Sequence, residues 1–248
     1  MKVSIITATY NSAKTLPDTL RSLGSQTYDN IEYIVIDGAS KDNTLDIVHD
    51  NYKKTVTIIS EPDKGIYDAL NKGINVATGD VIGFLHSDDI LAYPDVIRDV
   101  VACFNKDNCD AVYGDLEYVS KDDLNKTIRL WKSGEFHRSK IQLGWMPPHP
   151  SFYMKKSCYD KFGSFSLDYR ISADYESLLR YLWKESITLS YIPQVLVKMR
   201  VGGISNRSLS SMINKSFEDI KAMKANKLIW PIALISKNLC KLPQFIRK

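Results

Sequence analysis

The chain has 248 residues, 44% of them hydrophobic, enough to bury a full core as one large α/β domain. Its formal net charge of +4 is a mild excess that suits anionic small molecules or a lipid surface and calls for no nucleic acid. The four cysteines form no Cys-x-x-Cys pair and no tight spacing with His49, His86, His137 or His149, which argues against zinc and a disulfide framework and for a reducing, cytosolic compartment.

The opening residues read directly into a strand, without the basic start, apolar stretch and cleavage site of a signal peptide. No apolar run reaches the roughly 18 residues of a membrane span, so a soluble or peripheral protein is expected. Residues 3–6, 31–36, 56–59 and 81–85 are short apolar runs of strand length, rich in β-branched side chains. Between them Leu16, Leu20 and Leu23, then Leu45, Val48 and Tyr52, then Ile66, Ala69, Leu70, Gly73 and Ala77 recur at helical spacing. This alternation predicts right-handed βαβ units and a Rossmann-like, mostly parallel sheet flanked by helices, with the loops after Ile6, Ile36, Ile59 and Leu85 lining one crevice.

Beyond about Asp95 the alternation weakens and the second half reads as mixed. Residues 111–118 look like a strand, Pro147-Pro148-His149-Pro150 is a turn, and 151–154 is a short strand. A helix follows at 175–184, then a strand at 187–192 and a Gly202-Gly203 loop. From residue 221 onward there are seven basic residues and no acidic one, around an apolar stretch at 228–235 that Pro231 interrupts.

Chemistry concentrates in the crevice loops. His86-Ser87-Asp88-Asp89 follows a buried strand, and two adjacent carboxylates there repel each other unless a hard divalent cation, Mg²⁺ or Mn²⁺, relieves them. An Asp helix cap before Ile90 is the local alternative. After Ile36, Asp37 offers acceptors for a base or ribose or else serves the loop itself, while Asp42 and Thr44 read as caps of the next helix. Thr7, Ala8, Thr9 and Asn11 form a turn of small side chains that lets backbone groups approach a nucleotide, without a GxGxxG or Walker pattern. In the Glu61-Pro62-Asp63-Lys64-Gly65 segment Asp63 reads as a cap, and Lys72 as solvated. Asp174 stands just before the apolar helix positions Leu178, Leu179 and Leu182, as either a cap or a positioned base.

Taken together these residues resemble the inverting nucleotide-sugar glycosyltransferases of family 2, with the GT-A fold. The resemblance rests on Val3-Ser4-Ile5-Ile6-Thr7-Ala8-Thr9-Tyr10-Asn11, Tyr33-Ile34-Val35-Ile36-Asp37-Gly38, residues 61–73, and Gly79-Asp80 leading into Ser87-Asp88-Asp89. It is close over roughly residues 1–95 and looser to about 206. It implies a domain over 1–215, with a nucleotide-sugar half (1–95) and an acceptor half (96–215), and a basic tail over 216–248. It further implies that Asp37 contacts the base, Asp88 lies near ribose and diphosphate, Asp89 binds the metal with Asp88 beside it, and Asp174 is the catalytic base, with Glu176 or Asp168 next in line. Ser87 replaces the first acid of the usual DxD motif, and Ala173 the Glu that often precedes the base.

His149, between prolines, is implied as an acceptor or diphosphate contact or else a structural histidine. Gly202-Gly203-Ile204-Ser205 resembles a closing loop or forms a simple turn. The related enzymes use a UDP-sugar by default and build surface polysaccharide (O-antigen, capsule or exopolysaccharide) on a lipid-linked saccharide at the cytoplasmic face of the inner membrane. A peripheral membrane enzyme is thus the expectation. The rival classes are a sugar nucleotidyltransferase, which would want a basic glycine-rich triphosphate loop near the start, and a non-catalytic carbohydrate-binding or scaffold protein.

Overall fold

The apolar residues of the first strand divide between two cores: Val3 and Ile5 point to one face, Ile6 to the other. This strand, β1 (Val3–Thr9), pairs in parallel with β2 (Ile31–Asp37) on one side and β4 (Val81–Phe84) on the other, and β2 pairs in parallel with β3 (Val56–Ser60). The computed structural model describes residues 1–202 and 209–239. Among them a single sheet runs β3-β2-β1-β4-β8-β6-β9-β5, with β7 added beside β6. The remaining strands are β5 (Ile90–Leu91), β6 (Ala111–Val119), β7 (Thr127–Trp131), β8 (Phe152–Lys155) and β9 (Leu189–Arg200).

Strand β8 runs antiparallel to both β4 and β6, so β6 and its parallel partner β9 point the same way as β1. The mixed second half is therefore a continuation of the same sheet, and the ends of β1, β2, β4, β6 and β9 open on one edge. Strand β9 extends to Arg200, eight residues past the expected end at Ile192, because it pairs along the whole of β6 with a register shift at Asp115.

Helices α1 (Leu16–Gly24), α2 (Thr44–Asn51) and α4 (Val96–Asp107) cover the Val3 and Ile5 face, burying Leu16, Leu20, Leu23, Val48, Val96, Ile97, Val100 and Phe104. Helix α4 was not foreseen, although Val96, Ile97, Val100, Val101 and Phe104 carry a clear helical period. Helix α3 (Ile66–Val76) lies on the opposite face. Gly73 permits its close approach: a Cβ there would sit 2.5 Å from Ile6 Cγ2. The short helices α5 (Ser139–Gln142) and α6 (Lys156–Phe162) and the helix α7 (Ala173–Leu179) complete that face, α7 passing directly into a π-helical turn over Arg180–Lys184.

Helix α8 (Leu209–Ala225) crosses the boundary expected at 215/216, and α9 (Trp230–Leu239) packs back on it. Ala222, Met223, Leu228 and Ala233 join the core beneath α7. The closing-loop reading of residues 202–205 falls largely outside the described residues, as does the end of the tail.

Candidate functional site

The parallel strands deliver their carboxyl-end loops to one crevice, and short side-chain bonds lock those loops together. The Asn11 backbone is left-handed (φ 50°) and ties the first loop to the second: its N–H donates to Ser40 Oγ at 2.8 Å, and its side-chain oxygen accepts from Lys41 N–H at 2.8 Å. Ser12 N–H donates to Thr44 Oγ1 (2.8 Å), and the Ser12 hydroxyl meets that of Ser87 at 3.0 Å. Ser87, standing where the motif usually has an acid, thus links the β1 loop to the β4 loop.

Asp37 is fully buried and accepts from Thr9 Oγ1, Ser40 N–H, Ser40 Oγ and Ser60 Oγ at 2.5–2.9 Å. Burial pushes its pKa up, but the donors from Ser40, Ser60 and Thr9 outweigh it and hold the carboxyl below its ordinary value. Asp37, expected to contact the base, here takes four donors from Thr9, Ser40 and Ser60, which tie the ends of β1, β2 and β3 together.

Thr7 and Thr9 are buried as well, and Thr7 accepts from the Tyr33 hydroxyl at 3.2 Å. Ala8 is partly open, while Tyr10, passed over in the sequence, is 64% exposed. Gly38 sits between Tyr10 and Asp63, where a Cβ would lie 2.5 Å from an Asp63 oxygen. The crevice surface here is therefore Ala8, Tyr10, Gly38 and Asp63. Asp63 does not bond as a helix N-cap; it accepts from Gly65 N–H at 2.8 Å, and Gly65 holds the cap position. Lys72 is paired rather than simply solvated, at 2.8 Å from Glu61 and 3.6 Å from Asp68, which pins the 61–65 turn to α3.

After β4 the chain turns so that Asp89 N–H donates to His86 C=O at 3.0 Å, and Thr19 of α1 clasps the Asp89 carbonyl at 2.7 Å. No α-helix follows; the next element is β5, which removes the helix-cap reading of this pair. Asp88 is half-buried, whereas Asp89 is 1% exposed and neither of its carboxylate oxygens has a hydrogen-bond partner. Burial, then the charge of Asp88, drive its pKa well above the ordinary carboxylate value, with Arg200 pulling the other way.

Arg200, at the end of β9, was not singled out from sequence because its partners lie far along the chain. It is 7% exposed, donates to the Asp88 carbonyl at 2.9 Å and pairs with Asp18 of α1. Among the described residues no group of three or more His, Cys, Asp or Glu side chains is placed to hold a metal. Two carboxylates with open oxygens nevertheless fit a Mg²⁺ or Mn²⁺ ion whose remaining ligands come from a diphosphate and water.

Asp174 is the second residue of α7, behind Ser172 at the cap position, so it does not cap the helix. Its carboxylate accepts from the Tyr67 hydroxyl of α3 at 3.1 Å and from Tyr175 N–H at 2.8 Å. Tyr67 is a second residue missed from sequence. Burial and the negative Asp174 push its pKa up, so it stays a donor. Glu176 is held by Arg180 at 3.1–3.2 Å and Asp168 is exposed at the surface, whereas Asp174 is near enough to His86 and His149 to act on their pKa values.

His149, on a 3-10 turn over His149–Ser151, stacks on Phe84 with ring centroids 5.2 Å apart and lies 6.2 Å from the His86 ring. Burial lowers its pKa to about 4 despite the pull of Asp174, so at neutral pH it is an uncharged imidazole in the floor of the site. Burial also lowers His86, against the opposing pull of Asp88 and Asp174. Asp88, His86, His149 and Asp174 thus form one electrostatic neighbourhood, brought together by β4, the 3-10 turn and α7.

The sequence model of Glycosyl transferase family 2 matches residues 4–163. A "PGL/p-HBAD biosynthesis glycosyltransferase" of Mycobacterium bovis is 30% identical over 219 residues, covering 86% of this chain and 81% of that protein. Among solved structures, S. aureus TarS 1-349 in complex with UDP-GlcNAc aligns with a TM-score of 0.69 at 19% identity, over 91% of this chain. This chain spans 65% of that structure's length. The mannosyltransferase PcManGT from Pyrobaculum calidifontis, in complex with GDP-Man and Mn²⁺, aligns with a TM-score of 0.64 at 16% identity, over 100% of this chain and 76% of that one.

Proposed function

The chain belongs to glycosyl transferase family 2, and from that premise we propose that it transfers a hexose-type sugar, with inversion, from a UDP-sugar to a hydroxyl of a lipid-linked saccharide during bacterial surface-glycan synthesis. The observation that carries the reading is the buried, unpartnered carboxylate of Asp89 beside Asp88, in the same crevice as Asp174. An uncompensated carboxylate costs several kcal/mol to bury, a cost that ligand binding offsets. Support for a UDP donor comes from the TarS complex and for a divalent ion from the PcManGT complex.

In this reading the base of the nucleotide lies against Tyr10, Ala8 and Gly38, on a loop that Asp37, Thr9 and Asn11 hold rigid. Asp88 and Asp89 hold Mg²⁺ or Mn²⁺, which when bound neutralises charge on the diphosphate. The acceptor oxygen attacks the anomeric carbon on the face opposite the diphosphate. The new C–O bond forms as the bond to the diphosphate oxygen breaks, and the hydroxyl proton passes to the Asp174 carboxylate. One displacement inverts the anomeric configuration. Tyr67 keeps that carboxylate aimed, and neutral His149 closes the floor without adding charge.

The same reading puts the protein on the cytoplasmic face of the inner membrane. No described helix is long and apolar enough to cross a bilayer. Helices α8 and α9 and the turn between them leave Phe217, Ile229, Ile232 and Ile235 exposed, each more than half except Ile232 at 50%, on a stretch of chain that also exposes Lys221, Lys224 and Lys227. Apolar side chains among cations suit an anionic lipid surface.

The test is a screen of UDP- and GDP-sugars for Mn²⁺-dependent binding and turnover with product analysis. Release of UDP with an inverted glycoside is expected. Pyrophosphate release from a nucleoside triphosphate and a sugar phosphate would instead mark a nucleotidyltransferase, and binding without turnover a non-catalytic protein.

A further inference from the structure

Asp174 lies on a seven-residue helix, and the loop before it would be free to move if nothing satisfied its backbone. What satisfies it comes from α8. The Glu218 carboxylate accepts three consecutive amides, Arg170 N–H at 3.0 Å, Ile171 N–H at 2.8 Å and Ser172 N–H at 2.8 Å. Bonds from amides to an ionised acceptor are about twice as strong as neutral ones. The last of these peptides is gripped from the other side too: the Ile171 carbonyl accepts from the Tyr67 hydroxyl at 2.7 Å, and the same hydroxyl reaches Asp174.

A second brace follows one residue beyond Asp174. Lys237 of α9 pairs with Asp219 of α8 at 2.7 Å, both nearly sealed from solvent, and its Nζ lies 3.3 Å from the centroid of the Tyr175 ring. The carboxyl-terminal helices therefore reach the backbone before the proposed base and the side chain of Tyr175 after it.

We propose that Glu218 is a positioning residue for Asp174: its carboxylate fixes the Arg170, Ile171 and Ser172 amides and so sets the height of the base over the crevice. This rests on the reading of Asp174 as the base. The three hydrogen-bond partners of Glu218 are backbone amides of residues 170–172, none of them a residue assigned above to nucleotide or metal. Its loss should act on turnover and leave nucleotide binding alone.

The experiment compares Glu218→Gln, Glu218→Asp and Asp174→Asn with the wild-type full chain. UDP affinity is measured in Mn²⁺, and nucleotide release is followed from UDP-glucose, UDP-galactose, UDP-N-acetylglucosamine and GDP-mannose. Melting temperature and amide hydrogen exchange over residues 168–176 are also measured. Gln keeps the size and one acceptor oxygen but not the charge, and Asp withdraws the carboxylate by about one methylene.

Both Glu218 variants should lower kcat about 10- to 100-fold, the scale of an ångström-sized misplacement, with KM and UDP affinity within about twofold. Exchange at 170–172 should speed up. Wild-type kcat in both, alongside an inactive Asp174→Asn, overturns the inference; so does a fall of kcat, UDP affinity and melting temperature together, which marks general damage. Wild-type turnover in Asp174→Asn, or no turnover of any donor by the wild type, overturns the base assignment and this inference with it.

Discussion

Two carboxylates in this protein show how the same group is made to do opposite work. Glu32 is surrounded by donors: Lys2 at 2.7 Å, Ser4 at 2.5 Å, and the side chain and amide of Thr78 at 2.6 and 2.8 Å. Burial raises its pKa, but these donors prevail and hold it down at about 2, from an ordinary 4.5. A group depressed in the folded state stabilises above its unfolded pKa and loses that contribution as pH falls through its folded pKa. Glu32→Gln should therefore cost about 1 kcal/mol at pH 7, after allowance for solvent screening, and progressively less between about pH 4.5 and 2, as read by denaturant melts across that range. Asp89 has no side-chain donor, and only the backbone and charge of Arg200 oppose the effect of its burial. Asp89→Asn should leave the metal-free protein about as stable as wild type, since burial and Asp88 already favour the neutral form of this acid, while abolishing any Mn²⁺-dependent rise in melting temperature in the presence of UDP. A metal-dependent rise equal to wild type would exclude Asp89 as a ligand.

At the level of elements, α9 is inverted relative to an ordinary surface helix: it buries Lys237 at 6% exposure and leaves Ile232 and Ile235 at 50% and 61%. The buried lysine is tolerated because Asp219 and the Tyr175 ring receive it. Removing one member of a buried pair strands the other, whereas removing both strands neither. Lys237→Ala and Asp219→Ala should each cost about 3–5 kcal/mol, and the double variant clearly less than their sum, by urea unfolding. Additive losses would show that the pair does not couple. Helix α7 gains its own fixity from Arg180, which bonds Glu176 and the carbonyls of Phe162, Gly163 and Ser164 where the helix widens into a π turn. The proposed base is thus mounted on an element braced at both ends.

For the whole molecule, the outward isoleucines and the basic excess from residue 221 onward predict sedimentation of the full chain with vesicles containing phosphatidylglycerol and release by salt. Ile232→Ser with Ile235→Ser should weaken that binding about tenfold or more without altering turnover of a soluble acceptor; unchanged binding would assign this face to a protein partner. The parallel half of the sheet and the acids at its strand ends were legible in the amino-acid sequence because their signals are local: β-branched runs, helical periods and acids after apolar runs, each within about a dozen residues. Even the buried faces of β1 and β2 follow from the alternation of Ile5 with Ile6 and of Val35 with Ile36. The tertiary structure alone decided which of those acids are open to a ligand. Asp37 takes four donors from Thr9, Ser40 and Ser60, whereas no side chain donates to the Asp89 carboxylate, a difference made by partners up to 28 residues away and by the packing of Thr19 and Arg200 around the β4 loop. It also turned an apparent tail into two helices whose Glu218, Asp219 and Lys237 meet α7, because a hydrogen bond across 46 to 48 residues leaves no periodicity to read. Sequence patterns report the free energy of local conformation and burial, whereas the aim of a side chain depends on where the distant chain delivers its partners.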